Sequence, residues 1–210
     1  ATTGLFILAN KLTTAANAIL IQYSAPVWVA LLGQWFLGER ASRLDWATIG
    51  LVLTGIALFF VQQLTIHYVV GNLVALAAGV AFAFSGLTMR RVAVTGAGTI
   101  DPLRPLVLGN LLSALLGLPF CFTAPLPDAT GLVAVVALGI FQLGMAYVCY
   151  AAAIRHATAM EVILIPVIEP ILSPIWVAIF FAELPGPAAL VGGAIVVGAV
   201  TLRAVLARRS

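Results

Sequence analysis

Apolar residues follow one another along this chain in long blocks, separated by short clusters of Gly, Pro and charge. A helix needs about 20 such residues to cross a bilayer. Seven blocks reach that length, at 15–37, 46–64, 71–92, 103–123, 130–154, 159–182 and 187–207. Their uninterrupted, helix-length character excludes an outer-membrane barrel, whose strands alternate over about ten residues. Ahead of them, residues 1–12 are apolar but too short to cross, with no initiator Met and no basic leader. This stub reads as the end of a helix whose start precedes the sequence. The pattern predicts an all-α, polytopic membrane helix bundle.

Composition supports the same class. Of 210 residues 63% are hydrophobic, and 10 Lys+Arg and 7 Asp+Glu make up only 8%. A soluble domain of this length would carry about 52 charges. So few cannot cover a water-facing surface, which excludes a soluble enzyme, a disordered chain and a nucleic-acid-binding module. The connections between spans are too short for a soluble domain, and no GxxxxGK[ST] loop is present. Cys121 and Cys149 lie inside apolar blocks and read as small core residues.

Successive loops alternate sides, which sorts the basic residues. Arg40, Arg43, Arg90, Arg91, Arg104, Arg155, Arg203, Arg208 and Arg209 fall on one side and Lys11 on the other. The positive-inside rule makes the first side cytoplasmic, with the C-terminus on it. The net charge of +3 is then a topology signal.

The chain also resembles itself. At a shift of 144 residues Lys11 meets Arg155, Pro26 meets Pro170, and Glu39 meets Glu183, while Ala18–Ile21 meets Val162–Ile165. The matching helices are fifth neighbours, so they cross in opposite directions. Inverted repeats of this kind build secondary transporters, with the site near midplane between them. Two five-helix repeats would give ten helices in the intact protein. This sequence would hold the stub and helices 4 and 5 of the first repeat in residues 1–64, and helices 6 to 10 of the second in 71–207.

Each copy is an apolar helix with a central Pro and a terminal Glu, Pro26–Glu39 and Pro170–Glu183, followed by a Gly-rich helix. That arrangement resembles the EamA-like branch of the drug/metabolite transporter superfamily, with the N-terminal helices missing. The resemblance implies an inner-membrane metabolite carrier of bacterial type, often an exporter of amino acids or related solutes. The missing first helices are ones that help to line the family's central cavity.

Glu169 stands out within the spans. It lies ten residues into the 159–182 block, where a charged carboxylate costs at least about 2.5–3.5 kcal/mol, and no Lys or Arg shares its depth. It must meet water, a ligand or a partner, or be protonated; a ligand-amine contact or proton coupling is the functional reading. Pro166, Pro170 and Pro174 interrupt the same helix and partly free the carbonyls of Val162, Pro166 and Pro170. With Ser173 and Glu169 they form one stripe, which either bends the helix or also turns carbonyls toward a cavity. Gln142, and Gln22 with Tyr23 and Ser24, are open to two readings, interhelical bonding or ligand contact. Trp28 and Trp176 lie deeper than an interfacial belt and are candidate cavity lining.

Glu39 and Glu183 share a structural task at helix ends, such as bonding a nearby helix start, or act in gating. Lys11 and Arg155 read as interfacial anchors. The ladders Gly109–Ser113–Gly117 and Ala75–Gly79–Ala83, and the Gly-rich stretch 192–198, read as close helix packing. His67 and His156 have no ligand cluster, so neither a metal nor a cofactor is expected.

With one deep Glu and neither His nor Asp in the membrane interior, an intramembrane enzyme is not supported. The expectation is a secondary transporter of small, amino-acid-like or amine-bearing metabolites, working by alternating access and in the direction of efflux. Its partners would be the solute, the lipid bilayer and, as coupling ion, the proton. A homo-oligomer is compatible with the ladders but not indicated. The alternative is a non-transporting helical subunit or assembly scaffold.

Overall fold

The computed structural model describes residues 2–64, 67–95, 103–121 (without the side chains of 120 and 121), 128–172, 179 and 186–207. Among them every regular element is helical. Four helical stretches are long and apolar enough to cross a membrane, at Ala15–Leu37, Val69–Thr95, Ala129–Ala153 and Pro187–Ala207.

Local chemistry sets the helix ends. Helix α1 (Thr2–Leu12) precedes α2 (Ala15–Gln22), whose start is capped by Thr14 accepting from the Asn17 N–H at 3.2 Å. The chain then turns at Tyr23–Ser24 and resumes as α3 (Ala25–Leu37), with Pro26 in the first turn where its missing N–H costs nothing. Gly38 ends α3 in the left-handed region at φ 73°, a conformation that favours glycine. Helix α4 (Arg43–Phe59) starts from a capping box, Ser42 and Asp45 each accepting from the other's backbone N–H. That box moves the start to 43, and the helix ends at 59, against the 46–64 expected from hydrophobicity.

Helix α5 (Val69–Thr95) and α6 (Leu103–Cys121) follow. Then come α7 (Ala129–Ala137), a π-helical segment (Leu138–Met145) and α8 (Ala146–Ala153). Helix α9 (Ala159–Leu164) has a second capping box, Thr158 with Glu161. A 3₁₀ segment, Ile165–Ile168, follows it before the helix resumes over 169–172. Helix α10 (Pro187–Ala207) completes the described elements.

Two compact units result. The first, 1–88 with 158–210, holds a core of Val29, Ile49, Val52, Ile56, Leu87, Ile163, Val167 and Val196. Its closest seam joins α4 to α10. A Cβ added at Gly192 would run into the Gly55 carbonyl and lie 2.6 Å from the Phe59 nitrogen, so these helices meet backbone to backbone. The Gly-rich stretch therefore has α4 as its neighbour. The Ala75–Gly79–Ala83 ladder packs against the α2–α3 turn, where a Cβ on Gly79 would lie 2.9 Å from the Gln22 carbonyl oxygen.

One end of this unit joins Thr13, Asn17 and Asn72: the Thr13 hydroxyl and the Asn17 amide both donate to Asn72 Oδ1, at 2.9 and 3.1 Å. The other end gathers Glu39, Asp45, Glu161 and Arg203.

The second unit, 89–157, carries Arg90, whose guanidinium donates to the carbonyls of Ile154 and Arg155 at 2.9 and 3.1 Å. Among the described residues nothing lies within 4 Å of a Cβ built at Gly109 or Gly117, and the Ser113 hydroxyl donates back to the Gly109 carbonyl at 2.8 Å.

Candidate functional site

Two interrupted helices cross in the first unit. The α2–α3 turn falls at Tyr23–Ser24 and the 3₁₀ segment at Ile165–Ile168. In the 144-residue register that segment coincides with Ile21–Ser24, so both breaks occupy the same place. Each is followed by the shared proline, Pro26 or Pro170.

Tyr23 joins them. Its hydroxyl donates to the Pro166 carbonyl at 3.1 Å, across 143 residues of sequence. Pro170 has no N–H to give that carbonyl, so the helix alone leaves it short of its usual donor. The Glu169 N–H, reaching back in 3₁₀ fashion, is its second donor. The Pro166 carbonyl is therefore occupied twice. Of the two readings, a bend alone or a carbonyl turned toward a cavity, this carbonyl fits the first: the break is closed by a side chain from the other interrupted helix.

Glu169 sits at this crossing with its side chain exposed, near enough to Tyr23 for the two to interact electrostatically. The opposite face is packed, with Val167 fully buried and Ile171 nearly so. Pro166 and Pro170 are half-buried between the two faces. Trp28 braces the first turn of α3, its indole N–H donating to the Ser24 hydroxyl at 3.3 Å. Gln22 is half-buried at the break itself. The structure thus brings together Gln22, Tyr23, Trp28, Pro166, Glu169 and Pro170. Gln142 lies in the π-helical segment of the second unit and is exposed there; such segments often accompany functional positions. Ser173, Trp176 and Glu183 lie outside the described residues.

The repeat anchors fall at helix ends. Pro26 is fully buried, Lys11 is exposed in the last turn of α1, and Arg155 is exposed at the end of α8. Glu39 accepts from the Ala159 N–H at 2.9 Å, placing a carboxylate on the start of α9 where the helix dipole favours it.

Around Glu39 lies a cluster that hydrophobicity alone did not reveal. Arg203 is 6% exposed and donates through Nε to Asp45 at 2.7 Å, while its Nη1 lies 3.4 Å from Glu161. Both carboxylates also cap helices, α4 and α9. Burial alone would push the Asp45 carboxyl upward. The Ser42 N–H, the Arg203 guanidinium and the Ser42 hydroxyl outweigh that and hold it below its ordinary value. Arg203, sorted by sequence among the loop charges, is in fact a buried partner. The patterns Ser42-x-x-Asp45 and Thr158-x-x-Glu161 were readable as capping boxes; the pairing with Arg203 was not.

A solved crystal structure is similar to this chain, with a TM-score of 0.79 and 25% sequence identity over 99% of this chain and 73% of its own. No curated protein shows a significant match. The family model described as the EamA-like transporter family matches residues 1–61 and 69–204. Nearly the whole chain is covered, and the protein belongs to the EamA-like transporter family.

Proposed function

We propose that this membrane transporter moves small metabolites by alternating access, with the solute held at the crossing of the two interrupted helices. The observation that carries this reading is the Tyr23–Pro166 junction with the exposed Glu169 beside it. An interrupted helix supplies a hinge, and secondary transporters place their sites at such interruptions. Glu169 is the contact for an amine-bearing solute or the proton-coupling group.

The two halves, 1–64 and 71–207, act as inverted repeats. Further matches at the 144-residue shift support this. Thr14 and Thr158 both cap helices, and Val52 and Val196, both fully buried, lie at equivalent positions of the α4–α10 seam. The nine basic residues on one side support a bacterial-type inner membrane with a cytoplasmic C-terminus. The direction we propose is efflux of amino-acid-like solutes.

The test uses inverted vesicles from cells producing the intact protein, loaded against a panel of radiolabelled amino acids and amines. Glu169→Gln should abolish transport of cationic solutes or flatten its dependence on pH. Unchanged transport with an unchanged pH profile would remove Glu169 from the mechanism. In cells, overproduction should confer resistance to toxic analogues of the transported class.

A further inference from the structure

The end of the first unit marked by Arg203 holds more charge than helix capping requires. Asp45 on α4 and Glu161 on α9 already have local partners in Ser42 and Thr158. One guanidinium, from α10, nevertheless bridges both carboxylates. The two halves of that bridge are unequal. Asp45 is 11% exposed in its side chain and 2.7 Å away, whereas Glu161 is 30% exposed and 3.4 Å away.

The helices are unequal too. Helices α4 and α10 meet backbone to backbone at Gly55 and Gly192, so Asp45 and Arg203 ride on one tight pair. Helix α9 is short, its body gives way to the 3₁₀ segment four residues beyond Glu161, and its start is reached from the 38–42 connection by Glu39. Beside this junction lies a cavity of about 250 Å³ lined by Ala30, Gly33, Glu39, Asp45, Thr158 and Arg203. The α9 start thus meets the α4–α10 pair through Arg203 and Glu161 on its polar side, with Ala159 and Met160 packed in the apolar core behind them and the cavity beside them.

We infer that Arg203–Glu161, supported by Glu39 on the Ala159 N–H, is a latch that holds the start of α9 to the α4–α10 pair and closes this mouth of the transporter. Arg203–Asp45 is the fixed half of the device, and Arg203–Glu161 is the half that opens. The inference rests on the alternating-access reading, in which α9 must move against the pair.

Glu161→Gln isolates the latch, because Gln at this position keeps the capping box while removing the charge. The reporter is Ala30→Cys in a Cys121→Ala, Cys149→Ala background. Ala30 lines the cavity and is 9% exposed, so a membrane-impermeant maleimide should label it slowly in the latched form. A partly exposed ion pair is worth up to about 1 kcal/mol, so Glu161→Gln should raise the labelling rate about two- to fivefold in inverted vesicles, with the melting temperature lowered by no more than about 4 °C. Asp45→Asn, which damages the fixed half, should lower the melting temperature without matching that increase. An unchanged labelling rate in Glu161→Gln overturns the latch. So does an increase that appears equally in Asp45→Asn and tracks a lower melting temperature, since that is general loosening. Labelling needs no solute, so the result stands apart from the Glu169 test of the transport site.

Discussion

Replacing Gly55 with alanine should destabilise the protein, although alanine is the better helix former. A Cβ at position 55 would lie 2.7 Å from Val196 Cγ2, 2.8 Å from the Gly192 carbonyl oxygen and 3.2 Å from Ile195 Cγ2. Comfortable contact begins near 3.4 Å, so the carbonyl would have to retreat by 0.6 Å. It belongs to the backbone of α10 and cannot retreat alone. Val196 is fully buried and β-branched, with one preferred rotamer in a helix, so it has little room to turn. The helices must part, at a cost of about 1–3 kcal/mol, against a propensity gain of about 1 kcal/mol.

Gly50 on the same helix is the control. Nothing lies within 4 Å of a Cβ built there, so Gly50→Ala should be neutral or stabilising by up to about 1 kcal/mol. Thermal melts or SDS titrations of the purified protein in detergent would compare the two. If Gly55→Ala proved as stable as Gly50→Ala, the backbone contact between α4 and α10 would be refuted.

Two further substitutions probe the polar contacts. Tyr23→Phe removes one of two donors to the Pro166 carbonyl, so the loss should be only about 0.6 kcal/mol in an SDS titration; a loss above about 2 kcal/mol would mean that Glu169 N–H does not share the carbonyl. Because the folded-state pKa of Asp45 is depressed, its stabilisation is present above about pH 4 and is lost as pH falls through the lower folded value. Asp45→Asn should therefore melt below the wild type at pH 7, with the gap narrowing in acid; a constant gap would deny the carboxylate that role.

Apolar run length located the helices of the 15–37, 71–92, 130–154 and 187–207 spans well, because a run of about twenty apolar residues has few alternatives in a bilayer. It misplaced the ends of α4, where Ser42 and Asp45 decide the first turn by hydrogen bonding and hydropathy carries no such information. At the candidate site, Pro166 and Pro170 announced a break beyond α9, and Glu169 announced a carboxylate that must meet water, a ligand, a partner or a proton. What closes the break was illegible: Tyr23 is one of several polar residues near Pro26, and only folding selects its hydroxyl for a carbonyl 143 residues away. Arg203 was misread for the same reason. A basic residue near a helix end has the same local sequence whether it faces water or turns inward to two carboxylates.

The Asp45–Arg203 pair also imposes an order on biosynthesis. The two residues are 158 positions apart, which at about 5–20 residues per second leaves roughly 8–30 s between their appearances. Throughout that interval the Arg203 guanidinium does not yet exist. Ser42, three residues away, is made before it and offers both a backbone N–H and a hydroxyl, at 2.8 and 2.9 Å in the folded protein. The capping box can thus serve as a provisional partner, letting α4 enter the membrane with its acid already engaged and wait for α10 to arrive.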